Sequence, residues 1–163
     1  MIEKEIMDEF KKRGLSVSTA ESCTGGLVSH RITNVSGSSD YYKGGVIAYA
    51  NEVKEKVLHV AEKTLEKKGA VSAECAREMA EGVRKLLDTD MGIAITGIAG
   101  PTGGTPDKPV GLVYIALATK DYVYHGKYIF HGDRGENKRE AADAALEMIK
   151  MHVQQGEEVC KKT

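Results

Sequence analysis

A short β-branched run at 15–20 is followed at once by Glu21-Ser22-Cys23-Thr24-Gly25-Gly26, and then by Leu27, Val28 and Ile32 at helical spacing. A strand that turns through paired glycines directly into a helix is a building unit of layered α/β domains. It leaves little room for an all-helical or all-strand chain.

The remaining sequence repeats the alternation. Ile2, Ile6, Met7 and Phe10 recur at helical spacing ahead of Gly14, which predicts a first helix with a glycine stop. After the loop Gly37-Ser38-Ser39-Asp40, residues 45–50 read as a second strand, and helical segments follow to about Lys68. Ser72 is placed to cap a helix that buries Cys75, Ala76, Met79, Ala80, Val83, Leu86 and Leu87. Residues 91–96 read as a third strand, and 110–118 with 122–130 as an antiparallel hairpin turning at Thr119-Lys120-Asp121. Asp133 is placed to cap a closing helix, with Glu136 three residues on as in a capping box, and Ala142, Ala145, Met148 and Ile149 form its expected buried face.

The predicted fold is a three-layer α/β/α sandwich around a mixed, mostly parallel five-stranded sheet. A length of 163 residues suits one domain over the whole chain, with 155–163 expected to fray. Ligands of such sheets collect beyond the carboxyl ends of the strands, which nominates the loops 21–26, 49–54 and 96–104.

Composition narrows the function classes. A formal net charge of −1, with acids and bases interspersed, argues against a dedicated nucleic-acid or acidic-lipid surface. Cys23, Cys75 and Cys160 form no paired framework and no Cys-x-x-Cys unit, which suits a reducing compartment. His30, His59, His125, His131 and His152 lack ligand spacing, so neither a metal nor another cofactor is expected. The N-terminal stretch is acidic and amphipathic rather than signal-like, and no apolar run reaches membrane-spanning length. A cytoplasmic protein without nucleic-acid or membrane partners is the expectation.

Two hydroxyls and a thiol precede Gly25-Gly26 at a helix start, where free N–H groups can hold an anion or a developing oxyanion. An ordinary cap and tight turn account for the same letters. Asn51 is suited to cap the next helix, with Lys54 near its third position, where the macrodipole and any burial would lower the lysine pKa. Neutral lysine can act as base for a serine hydroxyl, although the spacing alone favours a solvated surface lysine like Lys56. Tyr49 stands just before, able to orient or shuttle a proton. The loop from Thr96 to Gly104 matches neither nucleotide fingerprint, but its glycines leave N–H groups open for an anion nest. Arg134 supplies a guanidinium suited to phosphate or carboxylate.

Taken together, Ala20-Glu21-Ser22-Cys23-Thr24-Gly25-Gly26, Ala48-Tyr49-Ala50-Asn51-Glu52-Val53-Lys54, Gly69-Ala70-Val71-Ser72, Thr96-Gly97-Ile98-Ala99-Gly100-Pro101 and Lys108-Pro109-Val110-Gly111 resemble the successive blocks of the CinA carboxy-terminal domain family. This is the family of nicotinamide-nucleotide amidohydrolases, and the resemblance runs from about Ile6 to about Val153. It implies hydrolysis of the carboxamide of nicotinamide mononucleotide to nicotinic acid mononucleotide and ammonia, in pyridine nucleotide salvage. The family's nucleophilic serine falls on Ser22 and its lysine on Lys54. Its assisting tyrosine, threonine and arginine fall on Tyr49, Thr96 and Arg134. Thr24, Gly25, Gly26, Gly97, Gly100 and Arg134 are the expected substrate-binding positions. The resemblance further implies a stand-alone form and a homo-oligomer. Two other readings stay open: an enzyme that uses Cys23 as nucleophile, and a non-catalytic nucleotide- or partner-binding module.

Overall fold

The computed structural model describes residues 1–156. Helix α1 (Ile2–Arg13) closes on Gly14 in the left-handed conformation, and strand β1 (Val17–Glu21) follows. Next come α2 (Leu27–Thr33), β2 (Tyr42–Ile47) and two short helices, α3 (Asn51–Lys56) and α4 (Glu62–Lys67). The chain continues through α5 (Ala73–Leu87), β3 (Met91–Gly97), β4 (Leu112–Ala118), β5 (Val123–Ile129) and α6 (Arg134–Gln155). Gln155 ends α6 and Gly156 caps it, so the expectation of fraying is not met at these two residues, and its remainder, 157–163, lies outside the described residues.

The strands form one sheet in the order β2-β1-β3-β4-β5. Pairings of β1 with β2 and with β3 are parallel; β4 runs against both β3 and β5. The mixed α/β sandwich is therefore as expected, with four of the five described strands pointing one way and β4 reversed.

Alternation along the strands explains why the two faces carry different helices. Ile93 and Ile95 point to the cluster formed with Phe10 of α1, Ile32 of α2 and Leu146 and Ile149 of α6. Ala94 and Ala116 point the other way, onto Ala76, Met79, Ala80 and Val83 of α5. Small residues on this second face let α5 come close: a β-carbon on Gly92 would stand 2.3 Å from the Ala80 carbonyl oxygen. The same parity sends Glu21 toward α2 and Thr96 toward the α5 side.

Three expectations are corrected. The second strand is Tyr42–Ile47 rather than 45–50, because Gly44 and Gly45 lie inside it. A side chain at Gly45 would strike the Thr19 hydroxyl at 2.0 Å, so this glycine marks tight packing between strands and not a strand start. Leu86 is 48% exposed, since it sits in the last turn of α5 beyond the sheet, whereas Cys75, Ala76, Met79, Ala80 and Val83 are buried. Asn51 begins α3 without capping it; Ala50 holds the cap position with no side-chain hydrogen bond, and Lys54 is the fourth helical residue. The Ser72 cap on the Cys75 amide and the Asp133–Glu136 capping box are both present.

Candidate active site

The parallel trio β2-β1-β3 places three carboxyl edges side by side, with β1 in the middle. Ser22 is the first residue beyond β1, held there because its amide donates to the Ile95 carbonyl of β3 at 2.9 Å. On the other flank the Ala48 amide donates to the Glu21 carbonyl at 2.8 Å, which carries the β2 ladder one residue past the strand. The chain then turns into α3 and brings Lys54 back over the strand ends.

Lys54 is 1% exposed, and its Nζ lies 2.9 Å from Ser22 Oγ. The same nitrogen donates to the carbonyls of Ala48, at 2.8 Å, and Tyr49, at 3.3 Å. No carboxylate pairs with it among the described residues. Burial therefore holds the ammonium below the ordinary lysine range, against weaker opposing influences from Cys75 and Cys23. A neutral amine whose two N–H bonds point at two carbonyls directs its lone pair at the Ser22 hydroxyl.

Around this pair is a cavity of about 340 Å³, lined by Ser22, Cys23, Tyr49, Asn51, Lys54, Ala70, Val71, Thr96, Arg134 and part of the loop 97–103. No aspartate or glutamate is among the lining residues. Thr96 is buried and donates to the Ala70 carbonyl at 2.8 Å, leaving its oxygen lone pairs toward the cavity. Arg134 opens α6 and spans the rim. Its Nη1 donates to the Gly100 carbonyl at 2.7 Å and its Nη2 to the Tyr49 hydroxyl at 3.1 Å. Gly97 and Gly100 also line the cavity.

The second half of the Ser22 turn is placed differently. Thr24, Gly25 and Gly26 are absent from the lining, and the Thr24 hydroxyl turns inward to donate to Glu21 Oε1 at 2.7 Å. The start of α2 is not open to an anion, because Glu21 fills it: Val28 N donates to Oε1 at 2.9 Å and Ser29 N to Oε2 at 3.0 Å. Among the described residues the Cys23 and Thr24 amides donate to no backbone carbonyl. Of these two residues only Cys23 lines the cavity, so an oxyanion beside Ser22 has the backbone at Cys23, and not the helix end, for a donor. Cys23 lines the cavity as well, but burial pushes its thiol up to about 12, which keeps it protonated near neutrality.

Two residues that shape the site carry no motif of their own in the sequence. Glu21 is fully buried and fixes the turn that carries Ser22. A carboxylate closing a short β-branched strand, with hydroxyls three and eight positions on, is the available signal. Asn137 is 1% exposed; its Nδ2 donates to the Ala99 carbonyl at 3.0 Å and its Oδ1 accepts from Gly132 N at 2.9 Å. It ties the loop that begins at Ile98 to the start of α6. A polar residue one turn ahead of the apolar run Ala141, Ala142, Ala145, Leu146 and Ile149 on the buried face of α6 is the available signal.

Comparison with known proteins agrees with this architecture. A family model described as the CinA C-terminal domain matches residues 1–153. A CinA-like protein of Salinibacter ruber is 51% identical over 146 residues, which span 90% of this chain and 35% of that protein. A CinA-like protein of Kosmotoga olearia is 50% identical over 149 residues, spanning 91% of this chain and 36% of that protein. The chain thus corresponds to about a third of the length of these relatives. The crystal structure of the competence/damage inducible protein CihA from Agrobacterium tumefaciens superposes with a TM-score of 0.91 at 38% identity, covering 94% of both chains.

Proposed function

This chain belongs to the CinA C-terminal domain family, and we propose that it is an amidohydrolase that converts nicotinamide mononucleotide to nicotinic acid mononucleotide and ammonia. The observation that carries the reading is the buried contact of 2.9 Å between Lys54 Nζ and Ser22 Oγ, in a cavity without acidic side chains. A lysine placed in this way has no salt-bridge role to explain its burial. A base for the serine hydroxyl does explain it.

In the proposed sequence neutral Lys54 takes the Ser22 proton as Oγ attacks the carboxamide carbon, and the carbonyl electron pair moves onto oxygen. The backbone N–H at Cys23, beside Ser22 in the cavity wall, receives that oxyanion. Collapse of the tetrahedral adduct breaks the carbon–nitrogen bond, and Lys54 returns the proton to departing ammonia. Water, deprotonated by Lys54 in turn, cleaves the ester and releases the nicotinate carboxylate. Thr96 faces the leaving amide, and Arg134 faces the rim where an anionic tail would lie.

The test is ammonia release from nicotinamide mononucleotide by the parent protein and by Ser22→Ala and Lys54→Ala. Loss of at least about a thousandfold is expected in both variants. Parent-like rates in both would remove the dyad. An inactive parent that still binds the nucleotide would leave a binding module instead, and activity of Ser22→Ala that thiol reagents abolish would move the nucleophile to Cys23.

A further inference from the structure

We infer that Lys138 joins Arg134 in a two-cation seat for a phosphate monoester at the rim of the Ser22 cavity, and so sets the preference for phosphorylated over unphosphorylated amides. The inference rests on the amidase reading above for its substrate and on α6 for its geometry. Lys138 lies four residues after Arg134, one turn along the same face of the helix. Its Nζ is 3.7 Å from the point a β-carbon on Gly25 would occupy, over the turn that follows Ser22. The bare backbone there, at a φ of 60°, admits the ammonium closely. Cys23, two residues earlier, lines the cavity and feels the Lys138 charge.

Neither cation has a carboxylate partner among the described residues. Arg134 donates only to the neutral oxygens of Gly100 and Tyr49. Lys138 makes no hydrogen bond or ion pair there. The nearby Glu21 does not supply one, since its Oε1 already accepts from Thr24 and Val28 and its Oε2 accepts twice from Ser29. Both cations also lie in the first two turns of α6, where the macrodipole disfavours positive charge. Helix stability does not account for them. An anion of nearly two charges, such as a phosphate monoester near neutrality, compensates both at once.

The experiment compares nicotinamide mononucleotide with its unphosphorylated riboside on the parent, Lys138→Ala and Lys138→Arg. For the alanine variant, KM for the mononucleotide is expected to rise about tenfold with kcat within about twofold, while the riboside is unaffected and the arginine variant stays near the parent. Equal effects on both substrates, or none, would overturn the seat. Calorimetric titration with inorganic phosphate and with the mononucleotide separates this from the amidase reading. If the parent releases no ammonia that reading fails, yet Lys138→Ala should still bind about tenfold more weakly; unchanged affinity overturns the seat on its own.

Discussion

A single oxygen of Glu21, wholly buried, accepts from both the amide and the hydroxyl of Ser29, at 3.0 and 2.6 Å. Its other oxygen takes the Thr24 hydroxyl and the Val28 amide, so the carboxylate gathers the turn after Ser22 and the first turn of α2 into one hydrogen-bonded unit. Removing it strands four donors in a dry interior. Glu21→Ala should cost about 3 kcal/mol, or roughly 6–12 °C in Tm, with activity falling as Ser22 loses its fixed position. Glu21→Gln keeps the volume but turns an amide toward two donors, so its loss should lie between. Urea unfolding measures both, and an alanine variant as stable as the parent would contradict this role.

This residue also shows where sequence reading stops. Ser22 and Lys54 are legible because each lies in a segment that follows a predicted strand, Ser22 in the turn directly after β1 and Lys54 in the first turn of the helix after β2, on the ligand-bearing edge of an α/β sheet. The pattern of glycines and hydroxyls after Ser22 suggested that Thr24, Gly25 and Gly26 face a ligand. The chain itself satisfies that helix start through Glu21, and a hydrogen bond closed inside the fold leaves no periodicity to read. The shift of β2 has a similar cause: Gly44 and Gly45 looked like a boundary, whereas the Thr19 hydroxyl demands a missing side chain within the strand. Helices α1, α5 and α6 carry strong repeats and caps, and their limits followed directly from them.

Burial of Lys54 fixes the sign of a pH effect. Its charged form is disfavoured in the folded protein, so activity should rise with pH as the neutral base forms and level off below the ordinary lysine value of about 10.4. Stability follows the same sign. Between the lowered folded pKa and about 10.4 the unfolded chain binds the extra proton, so this site's contribution grows as pH rises across that window and is lost as pH falls through the folded pKa. Lys54→Met lacks the titrating group. The parent-minus-variant unfolding free energy should therefore increase with pH across the window, and parallel stability curves would rule the linkage out.

The Thr96 hydroxyl spends its proton on the Ala70 carbonyl, so toward the cavity it can only accept. An acceptor there suits the N–H groups of a primary amide. Thr96→Val keeps shape and should cost about 1 kcal/mol of stability while lowering kcat/KM about tenfold or more. Thr96→Ser retains the acceptor and should stay within about threefold. Steady-state kinetics of the pair decide it: if valine and serine behave alike, the hydroxyl serves packing alone.

Asn137 offers the sharpest separation between shaping the site and taking part in it. Its amide donates to Ala99 and its carbonyl accepts from Gly132, so one buried side chain holds the cavity loop against the helix that bears Arg134. Asn137→Ala leaves a carbonyl and an amide unpaired, at a cost of about 2 kcal/mol. Amides between Ala99 and Gly104 should exchange with solvent faster, and KM for the nucleotide should rise more than kcat falls, because the loop and Arg134 no longer move together. Asn137→Asp keeps the acceptor for Gly132 but sets a carboxylate against the Ala99 carbonyl, so it should disturb the loop at least as much as alanine. Hydrogen exchange resolved by mass spectrometry tests the pair: protection of 99–104 unchanged in both variants would show that the loop is held by its own hydrogen bonds, among them Gly111 N to the Ile98 carbonyl at 2.7 Å.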